Sequence, residues 1–226
     1  MMLSRLRVDA VAAAGGGAER SGGDAQMTST MTTEAQPAPA KLKRSYPRPV
    51  TLGDGRQVTL RLMVPADGYR LHAFARSLPE EDLQFLRVDI TRMLVVMLWG
   101  QNIKSGSTVT VLAEKDRDVI GYASVHNDQV SWQRHLGELR IQIGPAWRGH
   151  GLGSALGREI FAIAPELGIE KIVAHMTPNQ KQAMALVKRH GFRQEAVLHD
   201  FVIGRDGRKN DLVVMTCDVA GLLGAA

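Results

Sequence analysis

The chain has one cysteine, Cys217, among 226 residues. That excludes a disulfide framework and any multi-cysteine metal site, and it points to a reducing compartment and so a cytoplasmic location. No apolar run approaches the ~20 residues that cross a bilayer. The densest apolar cluster, residues 92–99, is short and lies between polar flanks. Arg5 and Arg7 are not followed by the apolar stretch of a secretory signal. Aromatic residues are scarce, at 5%, and the net charge of +5 is unevenly placed. Residues 1–50 carry seven Lys/Arg against four Asp/Glu, and the remainder carries 21 against 19, close to neutral. Nucleic-acid recognition wants a basic face interleaved with aromatics, and the folded part offers neither. The histidines lack ligand spacing such as H-x-x-x-H, so no metal site is expected.

What remains is an ordinary globular composition, 44% hydrophobic, of a length that suits one domain with a tail. Residues 1–45 are rich in Ala, Gly, Ser, Thr and Pro, and bury too little apolar surface to offset ordering entropy, so a disordered tail is expected there. Met27 and Met31 lie inside it; its basic run, Lys41, Lys43, Arg44 and Arg48, reads as a solvated linker or an anionic-surface contact. From Tyr46 the texture changes. Strand-like segments at 50–52 and 57–62 flank Gly53-Asp-Gly55, and helical spacing follows over 65–78, from Pro79 and over 91–99. A hairpin is expected at 108–114 and 119–125, a strand at 138–143, a helix at 154–166, a strand at 169–176, a helix at 179–189, and two closing strands at 192–203 and 211–217. This order predicts an α/β layered domain around one mixed sheet, spanning 46–220 before a short C-terminal tail, 221–226.

The stretch Arg148-Gly-His-Gly-Leu-Gly-Ser154 joins the strand at 138–143 to the helix behind it. Glycines at 149, 151 and 153 remove Cβ atoms where a ligand approaches main chain, and the helix N-terminus supplies free N–H groups and positive dipole. The arrangement suits a phosphate. A P-loop is excluded, because Ser154-Ala155 stands where Lys and Ser/Thr are required. A dinucleotide fingerprint fails too: the third glycine comes one position early, and Val173-Ala-His-Met176 lacks the acidic residue. A purely structural turn remains open.

Arg148-Gly-His-Gly151-Leu-Gly153 matches Arg/Gln-x-x-Gly-x-Gly/Ala, and Asn179, Ala183 and Arg189-His-Gly-Phe192 follow at the expected spacing. In these features the chain resembles the GNAT superfamily of acyl-CoA-dependent N-acyltransferases, over 108–217 and, through the first helices, back to 57. The resemblance implies a single GNAT-type domain, a mixed central sheet of about seven strands flanked by about four helices. It implies acetyl-CoA as acyl donor and no metal. The pyrophosphate would lie on the backbone of Arg148, Gly149, His150, Gly151, Leu152, Gly153 and Ser154, with the pantetheine along Ile141 and Ile143 and Asn179 reaching it from the other side.

The acceptor amine, with a reference pKa of ~10, must lose a proton before attack. Glu138, ten residues before Arg148, stands at the spacing of the glutamate in bacterial protein lysine acetyltransferases. It shares a strand face with Arg140 and Gln142, away from Leu139, Ile141 and Ile143. Glu138 is therefore the candidate general base, provided burial raises its pKa; a solvated strand carboxylate is the alternative. The tyrosine that many members place eight residues after the asparagine is replaced by Val187, leaving water, His199 or Asp200 to protonate the thiolate. That departure keeps a non-catalytic acyl-CoA sensor open as a second function. Glu80, Glu81, Asp82 and Asp89 fall where the acceptor cleft is covered and either attract a cationic amine or serve as helix-start charges. Trp132 and His135 are candidate cleft walls. The segment "LRLMVPADGYRLHAFARSLPEEDLQFLR" is similar to the start of protein lysine acetyltransferase domains, which favours a protein lysine as acceptor, followed by a small amine. A homodimer is left open.

Overall fold

The computed structural model describes residues 42–84 and 86–220. Most of the expected tail, and residues 221–226, lie outside the described residues. Eight strands form one sheet: β1 (Arg48–Thr51), β2 (Gln57–Leu62), β3 (Thr108–Lys115), β4 (Asp118–His126), β5 (Leu136–Ile143), β6 (Lys171–Met176), β7 (Arg193–Ile203) and β8 (Lys209–Asp218). Their order across the sheet is β1-β2-β3-β4-β5-β6-β8-β7. Every neighbouring pair is antiparallel except β5 and β6. The helices are α1 (Gly68–Ser77), α2 (Glu80–Leu83), α3 (Met93–Lys104), α4 (Leu152–Ile163) and α5 (Lys181–Arg189). The mixed α/β sheet expected from sequence is thus present, with one strand more because β1 and β2 both join it.

Alternation along the strands divides the core in two. On one face Leu60, Val111, Ala123, Leu139, Ile172 and Met215 pack with Leu156 and Ile160 of α4. On the other, Leu112 and Tyr122 pack with Leu71 and Phe74 of α1 and Val96 and Trp99 of α3. This second cluster draws sheet residues from β3 and β4. Across β5 and β6 the same face carries Glu138, Arg140, Gln142 and His175 instead, so the polar part of the sheet is the part that a ligand can reach.

Residues 42–45 pack on the domain. Leu42 and Tyr46 lie against the α4-side core, and the Lys43 N–H donates to Glu166 at 2.6 Å. Glu159, 5% exposed in the middle of α4, accepts hydrogen bonds from Arg44 (2.7 Å), Tyr46 (2.8 Å) and Arg48 (2.8 Å). A buried carboxylate is tolerated when its oxygens are met in this way.

The far edge of the sheet is β7. Its pairing with β8 slips between Leu198 and Val202, where Asp200 takes φ +51°, and Phe201 and Ile203 beyond it are 63% and 71% exposed. Glu159→Ala is expected to lower stability by about 2 kcal/mol in denaturant unfolding, less than a fully buried pair would lose because both arginines keep contact with water; an unchanged midpoint would show the clasp to be inert.

Candidate active site

The parallel strands β5 and β6 pair only at Leu136↔Lys171, Gly137↔Ile172 and Glu138↔Val173. Beyond that point β5 continues against β4 as far as Ile143, and β6 continues against β8 as far as Met176. Residues 139–143 therefore diverge from 174–176 and leave a wedge between them. Ile141 and Ile143 turn their side chains toward α4, within 3.7 Å and 3.9 Å of Cβ positions built on Gly157 and Gly153. Their main chain borders the wedge.

At the wide end of the wedge stands the glycine loop. Gly149 and Gly151 have φ +78° and +89°, a conformation that side chains rarely adopt. A Cβ on Gly149 would meet nothing within 4 Å, and one on Gly151 only the Gly53 nitrogen at 3.8 Å. The first helical bond of α4 runs from the Ala155 N–H to the Gly151 carbonyl at 3.0 Å. The N–H groups of Leu152, Gly153 and Ser154 precede it and have no helical acceptor, and the first turn holds no acidic residue. The cradle fits an anion such as a pyrophosphate. Leu152 is fully buried and anchors the turn, while Gly153 gives room to Leu186, which a Cβ would approach to 2.9 Å. The β1–β2 turn braces the loop from outside: Gly53 N–H donates to the His150 carbonyl at 3.3 Å, and His150 Nδ1 lies 2.8 Å from Asp54. The Arg148 guanidinium binds the Ile143 carbonyl at 3.2 Å and pairs with Asp82 of α2. It is thus committed to protein partners rather than aimed into the cradle.

At the narrow end Glu138 occupies the last paired position, opposite His126 of β4 and Val173 of β6. Arg140 Nε donates to its Oε1 at 3.1 Å, and Arg87, from the stretch after α2, donates to its Oε2. Burial alone would raise the Glu138 pKa, but a hydrogen bond from His175 and the charges of Arg140 and Arg87 outweigh it and hold it at about 2. The condition for an effective base, a raised pKa, is therefore not met with both arginines in place. His126 lies between Thr108 Oγ1 (2.9 Å from Nδ1) and Ser124 Oγ (3.0 Å from Nε2). Burial first, then Arg140 and Arg87, lower its pKa to about 3, so the ring is neutral near pH 7.

Asn179 is exposed in the turn between β6 and α5, across the wedge from β5. Val187 is buried in the core, 4% exposed, so that position offers no proton. Tyr122 is sealed between Phe74 and Trp99, and burial pushes its pKa up. Trp132 and His135 belong to the loop at the opposite end of β5 from the glycines and line a depression with Gln129 and Glu170. His199 and Asp200 lie on the sheet edge, both held by Asp211. Of the acidic residues considered for the cleft, Asp82 is paired with Arg148 and Glu80 with Arg205 at 3.4 Å. Arg87, His126 and His175 were not among the sequence candidates. His126 had a signal in its position opposite Glu138 once β4 and β5 were paired. Arg87, 51 positions from Glu138 in an irregular stretch, had none.

The pattern of the acetyltransferase (GNAT) family matches residues 73–192, more than half of the chain. The chain belongs to the GNAT family. A Bacillus subtilis (strain 168) protein, YwnH, provisionally named a phosphinothricin acetyltransferase, is 36% identical over 78 residues, covering 34% of this chain and 47% of that protein. The chain thus spans about half the length of this relative. Among solved structures, one provisionally named a phosphinothricin N-acetyltransferase has 25% identity and a TM-score of 0.63, covering 72% of this chain and 98% of its own. A Salmonella typhimurium protein, provisionally named an acetyltransferase and solved with its cofactor acetyl-CoA, has 20% identity and a TM-score of 0.63, covering 72% and 94%. This second likeness speaks for the GNAT fold.

Because His126 takes a proton far more readily unfolded than folded, stability is expected to fall as pH drops below 6.5 toward 3. His126→Gln should flatten the fall in melting temperature between pH 6.5 and 5, leaving the share from His190, whose pKa burial also lowers. An unaltered slope would show that the ring titrates freely in the native state.

Proposed function

We propose that this GNAT protein transfers the acetyl group of acetyl-CoA to the primary amine of a small molecule, by direct attack in a ternary complex. The observation that carries this reading is the wedge itself, with an anion cradle at its wide end and a carboxylate at its apex. The N–H groups at the start of α4 and the loop 148–154 hold the pyrophosphate, with Arg148 exchanging Asp82 for a phosphate oxygen. The main chain at Ile141 and Ile143 bonds the pantetheine as a neighbouring strand would, and Asn179 reaches it from the β6 side. When bound, acetyl-CoA supplies a thioester carbonyl near the apex.

Glu138 acts as the base once acceptor binding loosens its arginine contacts, taking the ammonium proton directly or through water. The amine nitrogen then attacks the carbonyl, the C–S bond breaks, and the sulfur leaves as thiolate. Water protonates it, since Val187 and the sealed Tyr122 supply no acid; a thiol with a pKa of ~8.5 is a tolerable leaving group. Two considerations favour a small acceptor over a protein lysine. The relatives matching at 36% and 25% identity are named for phosphinothricin. Two of the four acidic residues that would draw in a lysine, Glu80 and Asp82, are already paired with arginines.

Mixing acetyl-CoA with a panel of small amines should release thiol; binding without release would mark an acyl-CoA sensor instead. Glu138→Gln is expected to lower kcat by about 10²–10⁴-fold at neutral pH with acetyl-CoA affinity retained, and an unchanged kcat removes Glu138 from the chemistry. Gly151→Glu fills the cradle with like charge, so calorimetric titration with acetyl-CoA should show no binding; retained affinity contradicts the cradle.

A further inference from the structure

Two guanidiniums share the one carboxylate at the apex of the wedge. Arg140 lies on β5 itself, two residues from Glu138, with its side chain 20% exposed. Arg87 comes from outside the sheet and is 57% exposed. Among the described residues Glu138 is the one ion-pair partner of each. The nearby carboxylates do not pair with either arginine: Asp82 pairs with Arg148, Glu80 with Arg205, Asp89 binds the Thr91 hydroxyl at 2.5 Å, and Glu81 is exposed at the start of α2. From β4 His126 adds a neutral ring, and from β6 His175 adds a further donor to Glu138. With Glu138 ionised, Arg87 and Arg140 leave one positive charge unmatched, and the one carboxylate they pair with among the described residues is capped.

We infer that the acceptor carries an anionic group beside its amine, and that Arg87 is the specificity residue that leaves Glu138 to bind that group. This rests on the acetyl-transfer reading and names its acceptor class: a zwitterionic amine bearing a carboxylate, phosphonate or sulfonate. A plain alkylamine must compete with Arg87 for Glu138 and gives the displaced guanidinium nothing in return. A zwitterion exchanges both partners, its anion taking Arg87 and its ammonium taking the freed Oε2 of Glu138. The exposure and the irregular backbone of Arg87 suit it to this movement, whereas Arg140, about a third as exposed and fixed to the sheet, keeps Glu138 oriented. The proton then passes from the ammonium nitrogen to Glu138, and the neutral amine attacks the thioester as above.

The test compares thiol release for matched acceptors: L-amino acids, ω-amino acids and 2-aminoethylphosphonate against alkylamines of the same length and spermidine. The anionic amines should be favoured in kcat/KM by about ten-fold or more, the scale of one charge-assisted hydrogen bond. Arg87→Gln should abolish that preference while raising the alkylamine rates, and Arg87→Lys should keep part of it. Equal rates in the wild type, or a preference undiminished in Arg87→Gln, overturns the inference. A second measurement needs no turnover: the carboxyl carbon of Glu138, followed by NMR against pH, should titrate higher in Arg87→Gln, and higher in the wild type when propylphosphonate is added. A midpoint that moves while no amine releases thiol would sink acetyl transfer and leave the anion site standing. A midpoint unmoved by both changes overturns the handover whatever the enzyme acetylates.

Discussion

The register between β5 and β6 is the constraint on which the rest of the site depends. Two adjacent strands stop pairing after Glu138↔Val173 while each keeps its other neighbour, β5 with β4 and β6 with β8. Main-chain donors and acceptors inside a sheet need partners. An extended ligand that supplies them completes the sheet, so the gap is a binding site by virtue of backbone geometry alone. The glycine loop and Glu138 gain their meaning from where they fall on this gap, one at its mouth and one at its vertex.

The stretch from Glu80 to Arg87 packs Leu83 and Leu86 against the second core cluster and is tied down by charge as well. Arg205 reaches it from the β7–β8 connection, Arg148 from the glycine loop, and it sends Arg87 back to Glu138. Each tie involves a group that a ligand would want. Partly exposed ion pairs contribute little to stability, so exchanging them for ligand contacts costs the fold little. Most of the apolar packing comes from α4 on one face and from α1 and α3 on the other.

Much of this was legible in the sequence where local chemistry decides structure. The turn at Gly53–Gly55, the alternation of β3 to β5 and the spacing of α4 follow periods of 2 and 3.6 that any reader can count. The glycine loop was legible because positive φ and close approach both demand glycine. The charge state of Glu138 was not. Burial and nearby cations push a carboxylate in opposite directions, and the winner depends on Arg87, brought in by tertiary folding. The Arg148–Asp82 pair was not legible either, since Asp82 read as a helix-start charge. Trp132 and His135 precede β5 at the end away from the glycine loop and line a separate depression that does not include Glu138. The four residues before Tyr46 looked like linker because their partner, Glu159, lies more than a hundred positions away.

The slip in the β7–β8 register bears on how this protein behaves in a crowded solution. A long outer strand with exposed Phe201 and Ile203 offers a row of unused main-chain groups to any extended chain that drifts past. The left-handed kink at Asp200 breaks that row, and it places two polar side chains, His199 against Asp211, beside the break. A visiting strand would find no continuous ladder to join. The irregularity that interrupts β7 thus shortens the run of main-chain groups that an added strand could pair with, which is how bulges blunt an edge.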